Sequence, residues 1–541
     1  MKRLITLILC ITLIFSVVPY VYAESTALAA SSNKIKTLMD LGLLDKYEPN
    51  ADVTRETLKN SVDALYGTNS YLNYLEDRDM DQPVLYGQVL MVLVDLIGWA
   101  PLIEYNGYNK NDPAGYYRLA VRAGMTSQKT GEFNAPIKAE DYAELLYSTV
   151  CDASLLKATY YTSGLPKYTT DKNSHLLDSV LNLFYIEGVL TGIGKMSLDG
   201  RTSGEDETQT AIAGKWYKTD EKVESKSCFG MRVRAFIDKK DQIIKSILPL
   251  DNDNKILEVQ SDDIVKSETS FGTFTYTAQN GRKKSISIDN EADYIYNNRL
   301  YENYKSDDLK LDDCTYKFID NNNDSKYDVI LVDKYETFMV DTVLTEDNKI
   351  VDKNNKTYDL ENYFKDGGEI EKSDGRILEL GDIGKENIIS YEVSRDGEFT
   401  RFIVSDKKIS GIISRVEENW KKVYVSDKEY KTLHSYYENR SNFETVEAGD
   451  EAELYFDFKG YVVEIKKISR MIKAGYIFSA SEQAFGNFKF KILSESGEFE
   501  DATTAEKIKI NDKKISEDQF ENCTEFFDKN GFIPQLVLYK M

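Results

Sequence analysis

Two hydrophobic periods divide the chain. Between residues 31 and 156 apolar side chains recur at helical spacing. The run from Pro83 to Gly98 predicts an apolar helix that starts at proline and ends at glycine, a shorter helix closes at Gly124, and a third is predicted from Ile137 to Val150. Set in one register, Val53 and Leu58, Val84 and Val89, and Ile137 and Tyr142 are each five positions apart, so three related helix starts are expected. From about residue 180 the period falls to two. Residues 231–237, 327–332, 422–425 and 452–456 alternate apolar and polar side chains between turns rich in Asp, Asn and Gly, the pattern of short, half-buried strands.

The strand-rich part repeats itself. Residues 230–244 align without gaps on residues 449–463: a glycine, a strand, a turn at Asp238 or Asp457, and a second strand. A looser copy starts at Ile388. Possible opening strands lie upstream, at Gly188-Val-Leu-Thr and Gly411-Ile-Ile-Ser. Only 9 prolines occur and low-complexity linkers are absent from the sequence, so adjoining modules are expected at 180–255, 256–345, 346–408, 409–470 and 471–541. Such lengths sit near the lower end of domain size.

Composition narrows the function. With 91 acidic and 68 basic residues the formal net charge is −23, which disfavours a nucleic-acid ligand because phosphate binding needs basic patches. Residues 1–23 have the layout of a cleaved export signal: Lys2 and Arg3, an apolar run over 4–18, and Val21-Tyr22-Ala23 before the cut. Cys10 sits too early, and behind too large a residue, for a lipoprotein signal. Cys151, Cys228, Cys314 and Cys523 follow no metal or redox spacing and are expected to be free. His175 and His434 are the only histidines, leaving little material for histidine-dependent catalysis or multi-histidine metal sites. A non-enzyme is expected.

Residues 35–67 carry a sharper signal. An apolar helix stops at Gly42, a short turn carries Pro49, and Thr54-Arg55-Glu56 opens a second apolar helix. Residues 107–120 add a Gly-Tyr stretch ahead of the third helix start. This layout resembles the S-layer homology (SLH) domain of secreted clostridial-type surface proteins. The resemblance implies a multidomain fold: an N-terminal all-α, pseudo-threefold helical bundle over 31–156, followed by several small all-β barrel or sandwich modules. It also implies non-covalent anchoring to a secondary cell-wall polysaccharide, an extracellular location at the wall or surface layer, and possible surface-layer partners. Neither nucleic acid nor a membrane span belongs to that picture.

The same resemblance makes Arg55 and Thr54 the candidate glycan-binding residues, with Lys138 beside the third helix start. An arginine fork can take a carboxylate at two points, and a helix start adds donors and partial positive charge. The plain alternative is that Thr54 caps a helix and Arg55 is a solvated charge. The family pattern is incomplete here. Tyr86 and Ala139 stand at the positions matching Arg55, and the first loop is shortened to Asp45-Lys-Tyr-Glu-Pro-Asn50. Asp320, Asn322, Asp324 and Asp328 are candidate calcium ligands by the spacing of their oxygens, although the stretch lacks the glycine and glutamate of a full calcium loop. The other reading is a β-hairpin tip, since Asp and Asn tolerate tight turns. The chain is thus expected to be a non-catalytic, wall-anchored surface protein with its β modules as spacer, lattice component or adhesin. A secreted carbohydrate-binding protein, and then a glycan hydrolase, are the alternatives.

Overall fold

The structure, a computed structural model, describes residues 26–539 apart from 67–78, 127–131, 161–165, 202–207, 366–367, 418, 439–445, 469–472, 483–487, 495–496, 504–506, 511–512, 517–519, 521 and 530. The expected export segment, its cleavage site and Cys10 lie outside the described residues. The chain forms two compact units. One comprises 1–336 with 360–369 and 391–402, and the other comprises 337–359, 370–390 and 403–541.

The first unit begins with helices α1 (Thr26–Asp40), α2 (Arg55–Tyr66), α3 (Tyr86–Leu96), α4 (Pro101–Tyr105), α5 (Pro113–Ala123) and α6 (Ala139–Cys151). Local chemistry explains their limits. The Asp112 carboxylate accepts the Ala114 N–H at 3.0 Å, Pro113 fills the first turn of α5, and Gly124 ends that helix at φ 90°. The α3 helix starts at Tyr86 rather than at Pro83, because Val84 is engaged in long-range extended pairing.

The expected all-α bundle is not what the N-terminal region forms. The molecule is mostly β, 44% strand against 21% helix, and its helices are short. The apolar faces of these helices are not closed by one another alone. Their core runs on into Leu183, Phe236 and Leu248 of the first sheet, where Tyr147 of α6 packs edge-on to Phe236 with ring centroids 6.3 Å apart. Polar contacts tie the same elements together. The Ser246 hydroxyl donates to Asp40 at the end of α1 (2.8 Å), and Arg234 donates to the Tyr147 hydroxyl (3.1 Å). A short helix can bury only one stripe, and here a sheet supplies part of the cover. Helical periodicity identifies that stripe but not the element that covers it.

The β modules share a plan of one opening strand and one hairpin. In the first unit Leu183–Ile193 pairs antiparallel with Arg232–Asp238, which pairs with Ile243–Pro249. Two further strands, Gln209–Ile212 and Lys215–Thr219, close this sheet into a ring of five. The next module pairs Lys255–Gln260, Cys314–Asp320 and Lys326–Lys334 in the same way, with the long strand Lys283–Tyr296 parallel to the last. In the second unit Lys408–Val416, Glu451–Phe456 and Val462–Lys467 follow suit. The looser copy also forms two strands, Ile388–Val393 and Thr400–Ser405.

The predicted repeat is visible in the register. Aligning Gly230 with Gly449 matches Val233 with Ala452, and these are the residues opposite Gly188 and Gly411. Both hairpins carry an irregularity at matching positions, between Phe236 and Ile237 and between Tyr455 and Phe456. A bulge there adds twist and bends the hairpin around its own core. The turns match as well. The Asp238 carboxylate accepts the N–H groups of Lys240 (2.8 Å) and Asp241 (2.9 Å), and that of Asp457 accepts the Tyr461 N–H (2.7 Å). The four cysteines Cys151, Cys228, Cys314 and Cys523 are free, the first three of them buried.

Candidate functional site

The three related helix starts meet in a closed backbone ring. Val53 N–H donates to Ile137 O (3.0 Å), Ile137 N–H to Val84 O (3.1 Å), and Val84 N–H to Val53 O (2.8 Å). All three side chains are buried, as are their partners five positions on, Leu58, Val89 and Tyr142. Burying each aliphatic member stabilises the junction by about 1.5–3 kcal/mol.

A second cyclic set of bonds lies around this ring. Arg55 N–H donates to Gln82 O (3.0 Å), Tyr86 N–H to Ala135 O (2.9 Å), and Ala139 N–H to Ala51 O (3.0 Å). Each helix start therefore clasps the loop before the next, and these first-turn donors are already engaged. What a ligand meets is the partial positive charge of the helix ends together with nearby side chains.

The junctions at α3 and α6 differ in what they leave open. At α3 the Tyr86 ring lies parallel to Phe133, with centroids 6.1 Å apart, and Gly87 sits so close to Pro113 that a Cβ would meet the proline ring at 2.7 Å. At α6 a cavity of about 230 Å³ remains, lined by Lys46, Tyr47, Glu48, Asp52, Thr54 and Thr57 among others. Glu140 in the first turn of α6 holds the loop in place, accepting the Asn50 N–H at 2.7 Å and the Tyr47 hydroxyl at 3.1 Å. Burial pushes the Glu140 carboxyl up. The bonds from Asn50, its own N–H and Tyr47, with the charge of Lys138, outweigh that and hold it below the usual carboxylate range.

One of the three expected glycan-binding residues, Thr54, lines this cavity. Its hydroxyl accepts the Thr57 N–H at 3.2 Å, as a helix cap does. Lys138 is not among the lining residues, but its ammonium pairs at 2.7 Å with Asp52, which is. Arg55 is not among the lining residues. It opens α2 against the loop ending at Gln82. Sequence reasoning overlooked Lys46, an exposed lysine with no ion pair among the described residues, on the cavity wall. Its one signal was its place in the shortened first loop.

The Asp320 stretch forms the tip of the hairpin between Cys314–Asp320 and Lys326–Lys334. The buried Asp320 accepts the Ser325 N–H (3.0 Å), Asn322 accepts the Asp324 N–H (2.9 Å), Asp324 accepts the Lys326 N–H (2.8 Å), and Asp328 accepts the Asn321 N–H (2.9 Å). Asn323 and Ser325 take positive φ, 60° and 75°. These oxygens stabilise the turn itself. Among the described residues no cluster of three or more His, Cys, Asp or Glu side chains is arranged to hold a metal ion.

No protein-family model matches the chain, and no curated protein shows a significant match to it. Among the described residues no helix is long and apolar enough to cross a membrane.

Proposed function

We propose that the protein is a non-catalytic, exported surface protein that docks non-covalently on an acidic secondary cell-wall polysaccharide through the helix junction. The observation that carries this reading is the closed ring of Val53, Val84 and Ile137, which gathers three helix starts around one centre. The reading rests on the resemblance to SLH domains, and the ring supports it by bringing the three matched helix starts together. Lys46 lines the cavity at α6 and Lys138 pairs with Asp52 on its wall, and the adjoining helix start adds favourable potential for an anionic sugar substituent. The β modules then act as spacer, surface-layer component or adhesin.

The test is cosedimentation of the full chain with purified cell-wall sacculi before and after the secondary polymer is stripped. Pelleting is expected only with the polymer present. The double variant Lys46→Ala, Lys138→Ala is expected to weaken it more than Arg55→Ala, since Arg55 lies off the cavity. Protein that stays in the supernatant throughout would sink the wall-docking role.

A further inference from the structure

The first unit contains a larger cavity, about 560 Å³, that shares no lining residue with the junction. An irregular strand builds one wall. Along Lys283–Tyr296 the parallel partners run from Ile288 opposite Tyr327 to Asp293 opposite Val329. Residues 289–292 therefore leave the ladder while the neighbouring strand advances by a single intervening residue. The Asp289 carboxylate accepts the Glu291 N–H at 2.9 Å and holds this excursion, which carries Asn290 and Glu291 to the cavity and ends at Asp293.

Two chemistries meet there. The first is aromatic. Phe271, 51% exposed, stacks on Tyr304 with centroids 5.4 Å apart at 28°, and Tyr304 stacks on Tyr294 at 4.6 Å and 13°. These rings form a column whose inner end is the buried Tyr294 and whose outer end is Phe271. The Tyr304 hydroxyl oxygen is buried without a hydrogen-bond partner among the described residues.

The second chemistry is acidic. Asp199, Glu291, Asp293 and Glu302 line the cavity against a single lysine, Lys305. Asp199 is held by the Ser197 hydroxyl at 2.7 Å and the Arg201 N–H at 3.0 Å. Asp293 has no hydrogen bond or ion pair among the described residues. Burial, then Asp199, then Asp328 push its carboxyl up to about 6.

The geometry points to a binding cleft for a neutral pyranose glycan, with the sugar's C–H face on the outer face of the Phe271 ring, the exposed end of the column, and its hydroxyls on Asp293 and Asp199. A pyranose offers an apolar face and a rim of donors, which this pairing of ring and carboxylate complements. Anionic polymers are disfavoured by the excess of carboxylates. A quaternary ammonium would need rings set around a space, whereas these rings stack on one another. The cleft shares no lining residue with the junction cavity.

The test is affinity electrophoresis of the full chain through gels holding soluble starch, hydroxyethylcellulose, galactomannan or polygalacturonate, with tetramethylammonium chloride titrated in parallel. Retardation by at least one of the three neutral polymers is expected. Phe271→Ala should weaken that binding about tenfold, the scale of one lost stacking contact. Asp293→Asn should weaken it less, and both variants should pellet with sacculi as the parent does. The proposal is overturned if no neutral polymer retards the chain, if Phe271→Ala leaves retardation unchanged, or if only polygalacturonate or tetramethylammonium binds. Phe271 is half exposed, so its replacement does not put folding at risk.

Discussion

The junction cavity and the acidic cleft belong to the same compact unit, yet they are built by opposite means. At the junction, backbone does the positioning. Three extended residues donate to one another in a ring, three helix starts clasp three loops, and the cavity at α6 presents Lys46 near a helix N-terminus. In the cleft, side chains do it. A strand leaves its ladder for four residues, a column of rings forms the floor, and carboxylates outnumber cations. The difference teaches that one compact unit can position its sites by backbone bonds in one place and by side-chain packing in another.

The strongest way to break the comparison is Val84→Asp, which places an unpaired charge at a fully buried ring position. A loss of about 3–5 kcal/mol is expected for the helical region, followed by denaturant titration of the helical circular dichroism signal. Wall pelleting should disappear with it. Glycan retardation should be retained wherever the first sheet stays folded.

Next comes Gly230, which seats the strand that lies opposite Asp293. It has φ 79°, and a Cβ there would meet Val329 at 3.1 Å and Ile319 at 3.2 Å. Its repeat counterpart Gly449 has φ 94° and open space. Both alanine variants incur backbone strain of about 1 kcal/mol, and Gly230→Ala adds overpacking of about 1–3 kcal/mol. Thermal melts should therefore rank Gly230→Ala well below Gly449→Ala. The glycan affinity should fall for the first alone.

Asp293 offers a smaller and pH-dependent effect. Its folded pKa of about 6 lies above the ordinary aspartate value, so the folded state holds the proton more tightly. Its contribution to stability is thus present at low pH and is lost as pH rises from about 4 through about 6. Asp293→Asn should flatten that slope and stabilise the chain at pH 7 by about 1 kcal/mol after allowance for solvent screening. A melting temperature at pH 7 that drops on this substitution would contradict the assignment. The smallest expected effect is that of calcium. With the Asp320 oxygens engaged by the turn's own N–H groups, adding calcium or chelator should leave the melting temperature unchanged.

Legibility in the sequence followed the range of the interactions. The hairpins at Asp238 and Asp457, the helix ending at Gly124 and the five-residue spacing of the helix starts were all readable, because each is specified within about ten to fifteen residues. The extent of the candidate site was not. Thr54 lines the junction cavity together with the unforeseen Lys46, whereas Lys138 meets it only through Asp52 and Arg55 is not among its lining residues. Spacing along a helix says nothing about which loop folds against which helix start. The all-α expectation failed for a related reason, since the stripe on α6 is completed by Phe236, some ninety positions away from Tyr147.

By itself the sequence determined the local elements: two hydrophobic periods, the turns, the repeat, and the three matched helix starts. These depend on propensities and patterns that act over a few residues. Only the tertiary structure decided that Val53, Val84 and Ile137 close a ring, that a sheet covers the helices, and that Asp199, Phe271, Asp293 and Tyr304 share one cleft. Those outcomes rest on long-range pairing and burial. Their free energy comes from surfaces that meet only when distant segments of the chain are brought together.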